Sequence, residues 1–130
     1  MIEYRQAEEA DYDAIRRLLA DNGWDRRVED AERFRIMISQ ADRTVVAAEG
    51  GRIIGFARAL CDGVSNGYIG TVVVVEGQRG RGVGREMVER LIGNDPQITW
   101  VLRAGHGSAE FWEKMGFSHS EAAMERRRKQ

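Results

Sequence analysis

Cysteine occurs once in this sequence, at Cys61, which excludes an internal disulfide and any metal site built from several thiolates. No metal is therefore expected. Proline also occurs once, at Pro96, and neither repeats nor low-complexity linkers break up the chain. No apolar stretch approaches the roughly 18 residues of a membrane span, and Met1 to Gln6 lacks the basic head and apolar core of a signal peptide. These absences predict a cytoplasmic protein without a membrane partner. An excess of charge of either sign is missing too: 20 basic and 21 acidic residues leave a net charge of -1. So balanced a chain generates little long-range field for a polyanion, and nucleic acid is not an expected partner. The basic run Arg126-Arg127-Arg128-Lys129 reads as a solvated tail.

What is present suits one compact domain over residues 1–130, with 42% apolar and 32% charged residues. Ile2 to Gln6 alternates as a short strand does, and Tyr12, Ile15, Leu18 and Leu19 share one helical face before Asn22-Gly23. Phe34, Met37, Ile38 and Ala41 repeat the helical spacing. Two strands, 44–49 and 52–60, flank the turn dipeptide Gly50-Gly51 and predict a hairpin. The stretch from Tyr68 to Val75 ends in four valines and predicts a central strand buried on both faces. Val83, Met87, Val88, Leu91 and Ile92 then follow a helical period, and 98–102 supplies a strand. A crossover of that length makes its pairing with the valine strand parallel. A short helix over 108–115 and a final strand over 117–126 complete the expectation. The fold class is α+β, a mostly antiparallel mixed sheet with flanking helices.

Between the valine strand and the third helix lies Glu76-Gly77-Gln78-Arg79-Gly80-Arg81-Gly82-Val83-Gly84. A glycine-rich, cationic turn at a helix N-terminus suits an anion, because the first N–H groups of a helix lack intrahelical partners and the macrodipole is positive there. The spacing excludes two common phosphate loops. A dinucleotide fingerprint starting at Gly80 needs glycine where Arg85 stands, and one starting at Gly82 needs it where Met87 stands. A nucleotide P-loop needs Lys and Ser or Thr after its last glycine, and Gly82 is followed by Val83.

Arg79-x-x-Gly82-x-Gly84 resembles the Gln/Arg-x-x-Gly-x-Gly/Ala coenzyme A motif of GNAT acetyltransferases. Ala109 to Phe117 (AEFWEKMGF) is similar to that family's A-x-F-Y-x-K-x-G-F segment. The resemblance covers nearly the whole chain and implies a three-layer fold with a splayed parallel strand pair. It implies acetyl-CoA as acyl donor and an amine of a small molecule or peptide as acceptor, with a homodimer as one expected assembly. The cofactor-binding residues it implies are Val73, Val74 and Val75 on the strand, Arg79, Gly80, Arg81, Gly82, Val83 and Gly84 in the turn, and Phe111. A backbone N–H near Val73 would receive the developing oxyanion.

Two positions depart from the family. Trp112 stands where a tyrosine often protonates the leaving thiolate, and Thr71 where similar small acetyltransferases often carry an acid. Indole cannot act as that acid. Asp62 and His106 remain as candidate catalytic bases, and Trp24, Phe34 and Tyr68 as candidate acceptor walls beside Arg26 and Arg27. Cys61 reads as a small buried side chain in a strand rather than a nucleophile. The departures leave a second reading, a coenzyme A-binding sensor or interaction module without catalysis.

Overall fold

A computed structural model describes residues 1–129. Among the described residues five strands lie in sheet order β1 (Ile2–Arg5), β2 (Arg43–Glu49), β3 (Arg52–Cys61), β4 (Asn66–Val74) and β5 (Thr99–Leu102). The first four pair antiparallel, and β4 pairs parallel with β5. The helices are α1 (Tyr12–Leu19), α2 (Ala31–Ser39), α3 (Val83–Ile92) and α4 (Ala109–Lys114).

Strand alternation turns successive side chains to opposite faces, and each face has its own core. Val46, Phe56 and Val73 meet Ile15, Leu19, Phe34 and Ile38 of α1 and α2. Val45, Ala47 and Ala57 meet Met87, Val88 and Leu91 of α3 and Trp112 of α4. The result is a three-layer α+β arrangement with helices on both faces of a mixed sheet. Each large side chain so buried contributes about 1.5–3 kcal/mol.

Local chemistry fixes the ends. Asp30 accepts hydrogen bonds from the Glu32 and Arg33 amides, both at 3.1 Å, and starts α2. Asp11 accepts from Arg5 Nη1 and Nη2 at 2.7 and 2.9 Å and from the Glu8 amide at 2.8 Å, tying the start of α1 to β1. The Arg5 bonds hold the Asp11 carboxyl below the usual carboxylate range, although its burial opposes them. The Gly50-Gly51 hairpin forms with φ of +59° and +79°, both of the sign a two-residue type I′ turn requires.

The expected final strand over 117–126 is absent: the chain after α4 runs without sheet pairing through its described residues. Beyond Phe117 the segment offers Ser, Glu, Ala and Arg rather than β-branched residues. Ser120 Oγ also accepts from the Ala122 and Ala123 amides, at 3.2 and 3.1 Å, which spends backbone donors locally.

Candidate active site

The valine strand leads directly into the glycine turn. The Val75 amide donates to Ile54 O at 2.9 Å, a 3-10 turn covers Glu76–Gln78, and the Arg79 amide donates to Glu76 O at 3.3 Å. From Gly80 onward the pattern changes. Among the described residues no protein acceptor meets the N–H groups of residues 80 to 85, and the first satisfied amide of α3 is Glu86, donating to Gly82 O at 3.0 Å. These free donors stand at the positive end of the helix dipole. Gly82 caps the helix at φ +80°, a left-handed conformation that costs most L-residues about 1–2 kcal/mol.

The two arginines of the turn brace it. Arg79 Nε donates to Val74 O at 3.2 Å, folding its side chain back on the strand. Arg81 makes a paired contact with Glu49 at 2.9 and 3.0 Å, which joins the turn to the end of β2 and holds the Glu49 carboxyl below its ordinary pKa. The free run of amides thus begins one residue after Arg79, and the Arg81 charge is already shared with a carboxylate.

Beside this turn the sheet opens. The parallel pairing runs from Asn66↔Thr99 to Ile69↔Leu102 and stops, while β4 continues to Val74. The Val75 amide bonds across to β3, and Phe56 is opposite Val73. The antiparallel alternation therefore turns the Val73 amide inward and leaves Val72 and Val74 facing the open side. The donor expected near Val73 is therefore offered by its neighbours Val72 and Val74 and not by Val73 itself, whose side chain is also buried in the α1/α2 core. Phe111 of α4 closes the groove near the turn: a Cβ on Gly84 would stand 3.5 Å from its ring and 3.7 Å from Val74 Cγ2.

On the α1/α2 face, β4 carries a bulge. Arg58 of β3 is opposite Thr71 and Ala59 is opposite Ile69, so Gly70 is the extra residue. Leu60, Tyr68 and Val101 form a register row across β3, β4 and β5 and are 42%, 36% and 43% exposed. Arg58 Nε donates to the buried Thr71 Oγ1 at 3.0 Å, and burial lowers the pKa of its guanidinium. Sequence reasoning missed Arg58. The available signal was a cation in the middle of an otherwise apolar strand.

The remaining candidates separate. Phe34 is 2% exposed and packs in the α1/α2 core, so it forms no wall open to an acceptor. The helical period that marked its face also sends it inward. Trp24 is half-buried at the loop after α1, its carbonyl accepting from Arg27 and Val28 at 3.0 and 3.2 Å. Asp62 accepts from the Ser65 hydroxyl and from the amides of Val64, Ser65 and Asn66 at 2.9, 2.7 and 3.1 Å. Those bonds, the Ser65 hydroxyl foremost, pull its pKa far below that of a useful base. Asp62 is a turn-holding residue. His106 is exposed in the loop between β5 and α4. Trp112 is 9% exposed, edge-on to Phe111 and Phe117 at centroid distances of 4.9 and 5.3 Å, and belongs to the α3-side core. Among the described residues no cluster of three or more His, Cys, Asp or Glu gathers as for a metal, and no helix is long and apolar enough to cross a membrane.

The sequence model of the Acetyltransferase (GNAT) family matches residues 8–117. A curated relative, serotonin N-acetyltransferase 2, chloroplastic, from Oryza sativa subsp. japonica, is 35% identical over 86 residues, covering 63% of this chain and 42% of the relative. The chain thus spans less than half the length of that relative. Among solved structures, an acetyltransferase of Trypanosoma brucei superposes with a TM-score of 0.75 at 27% identity, covering 98% of this chain and 99% of that one. A Clostridium acetobutylicum protein described as a predicted acetyltransferase, solved with acetyl-CoA, shares the fold with a TM-score of 0.77 at 22% identity, covering 98% and 96%.

Proposed function

Because the chain belongs to the GNAT acetyltransferase family, we propose that it transfers an acetyl group from acetyl-CoA to a primary amine of a small molecule or peptide by direct attack. The observation that carries this reading is the run of unpartnered N–H groups at residues 80 to 85, beside a strand edge left open past Ile69. The diphosphate rests on those amides. The pantetheine arm, which has amides of its own, pairs with the outward amide of Val74 as an added strand would. Phe111 and Val74, both beside Gly84, line the passage between them.

The acceptor must be neutral to attack, and an alkylamine resembling lysine has a pKa of about 10.4, so the ammonium gives one proton to water before the N–C bond forms. The nitrogen loses a second to water as the tetrahedral intermediate becomes the amide. The outward amide of Val72, the farther of the two from the diphosphate, meets the oxyanion. The C–S bond then breaks, and a thiol with a pKa of about 8.5 leaves as thiolate near neutral pH without an acid. Loss of a general acid costs roughly 100- to 10,000-fold in rate, which slows the reaction without removing it.

One observation favours the second reading, a coenzyme A-binding module without transfer: Trp112 is packed into the core where a reactive phenol would otherwise stand. Thiol release from acetyl-CoA across an amine panel separates the two.

The test of the donor site is Gly82→Glu, with Gly82→Asn as control. Asparagine tolerates the left-handed region, whereas glutamate adds a carboxylate where the diphosphate belongs. Calorimetry should show coenzyme A affinity reduced by at least about 100-fold in the glutamate variant, the scale of two lost charge-assisted hydrogen bonds, and much less in the control. A folded Gly82→Glu protein that binds coenzyme A like wild type refutes the assignment.

A further inference from the structure

Arg58 is a largely buried cation for which the described chain supplies no counter-ion. Its one hydrogen bond among the described residues is Nε to the Thr71 hydroxyl, a neutral group, and it takes part in none of the ion pairs there. Buried charges are ordinarily paired, because removing them from water is expensive. The Nη groups are nevertheless not sealed off: no buried side-chain nitrogen or oxygen among the described residues lacks a partner, so these donors reach accessible space.

The position is built. A Cβ on Gly70 would lie 2.8 Å from Arg58 Cζ and from Nη2, so the guanidinium rests against backbone that only glycine leaves clear. Thr71, 3% exposed, holds Nε and thereby fixes the plane of the fork. An arginine fork anchored at Nε offers its two Nη groups as a rigid pair, the geometry that suits carboxylate and phosphate oxygens. Nearby, Arg27 has its proton affinity lowered by burial and by Arg128, Arg103 and Arg127, and both Arg27 and Arg58 feel Tyr68. Glu125 offsets part of this charge by pairing with Arg103 at 2.9 Å. No acidic side chain does the same for Arg58.

We propose that the acceptor amine carries its own anionic group, a carboxylate or a phosphate, which pairs with the Nη edge of Arg58 while its body lies on Tyr68 and Val101. The inference rests on the transferase reading above. Thr71, opposite Arg58, is one residue before Val72, and a strand rises only about 3.3 Å per residue. The anion and the reacting nitrogen are therefore separated by few bonds, as in an α-amino acid or an aminoalkyl phosphate.

The experiment uses two matched pairs with acetyl-CoA: phenylalanine against phenethylamine, and O-phosphoethanolamine against ethanolamine. In at least one pair the anionic member should show a kcat/KM about 10- to 100-fold higher, as expected for a hydrogen bond between charged groups. The pair with the larger gap identifies the anion. Arg58→Gln should erase the preference mainly through KM, Arg58→Lys should restore part of it, and coenzyme A affinity, unchanged in both, reports an intact fold. Equal use within both pairs, preference for the uncharged partners, or a preference that survives Arg58→Gln overturns the inference. If coenzyme A binds but no amine releases thiol, it is the transfer reading that fails. Calorimetry of N-acetylphenylalanine and O-phosphoethanolamine on the coenzyme A-saturated protein then reads Arg58 alone. Binding abolished by Arg58→Gln supports an anion site, whereas absent or glutamine-insensitive binding overturns it.

Discussion

At the start of α3 the groups free to meet a ligand are backbone amides from one continuous stretch, residues 80 to 85. On the α1/α2 face they are side chains gathered from different elements: Arg58 on β3, held by the buried Thr71 of β4, with Tyr68 on β4 and Val101 on β5. The first set depends on φ angles and a helix end, so substitutions matter there chiefly through backbone conformation or an intruding charge. The second depends on which side chains the sheet register brings together. If the proposed assignments hold, the acceptor side can be rebuilt by side-chain replacement while the amide run stays in place.

The contrast can be broken at either end. The largest effects belong to Gly82→Glu on donor binding and Arg58→Gln on acceptor choice, and each should leave the other side's ligand unaffected. If both variants lose coenzyme A equally, the two sides are not separable.

Phe34→Ala tests whether that residue belongs to the acceptor face or to the core beneath it. With the ring 2% exposed, the cavity left should cost about 3–5 kcal/mol of unfolding free energy in denaturant titration. At a temperature where the variant remains folded, the acceptor KM should match wild type. A changed KM with little loss of stability would return Phe34 to the acceptor wall.

Smaller still is the contribution of the Arg5–Asp11 pair, which fastens the α1 side to β1. Because the folded state lowers the Asp11 pKa, the pair's stabilisation is fully present above the unfolded carboxylate value of about 3.9 and fades as pH falls through the lower folded value. Asp11→Asn should therefore lower stability by about 2 kcal/mol at pH 7. The gap to wild type should close in strong acid. A gap that is constant with pH would mean that packing, not charge, holds this end of α1.

Much of the strand, turn and helix that form the proposed donor side is legible from sequence, because its determinants are adjacent in the chain: the valine run, the glycines at 80, 82 and 84, and a helical period beginning at Val83. The Gly50-Gly51 hairpin and the parallel β4–β5 pair are readable for the same reason. The proposed acceptor side is not, since nothing near Arg58 in sequence announces that Gly70 and Thr71 lie against it. Spacing also misleads where one signal serves two purposes. The periodicity that locates α2 says that Phe34 is on its apolar face without saying that this face is sealed, and an Asp-Gly turn at Asp62 looks like an exposed carboxylate until its three amide donors are seen. After Phe117 the composition lacks strand formers, and the expected pairing does not occur.

The most direct measurement follows the backbone amide resonances of residues 80 to 85 while coenzyme A, and separately pantetheine, is added. These amides should shift most with coenzyme A and scarcely with pantetheine, which lacks the diphosphate. Large shifts elsewhere, with residues 80 to 85 unmoved by saturating coenzyme A, would contradict it.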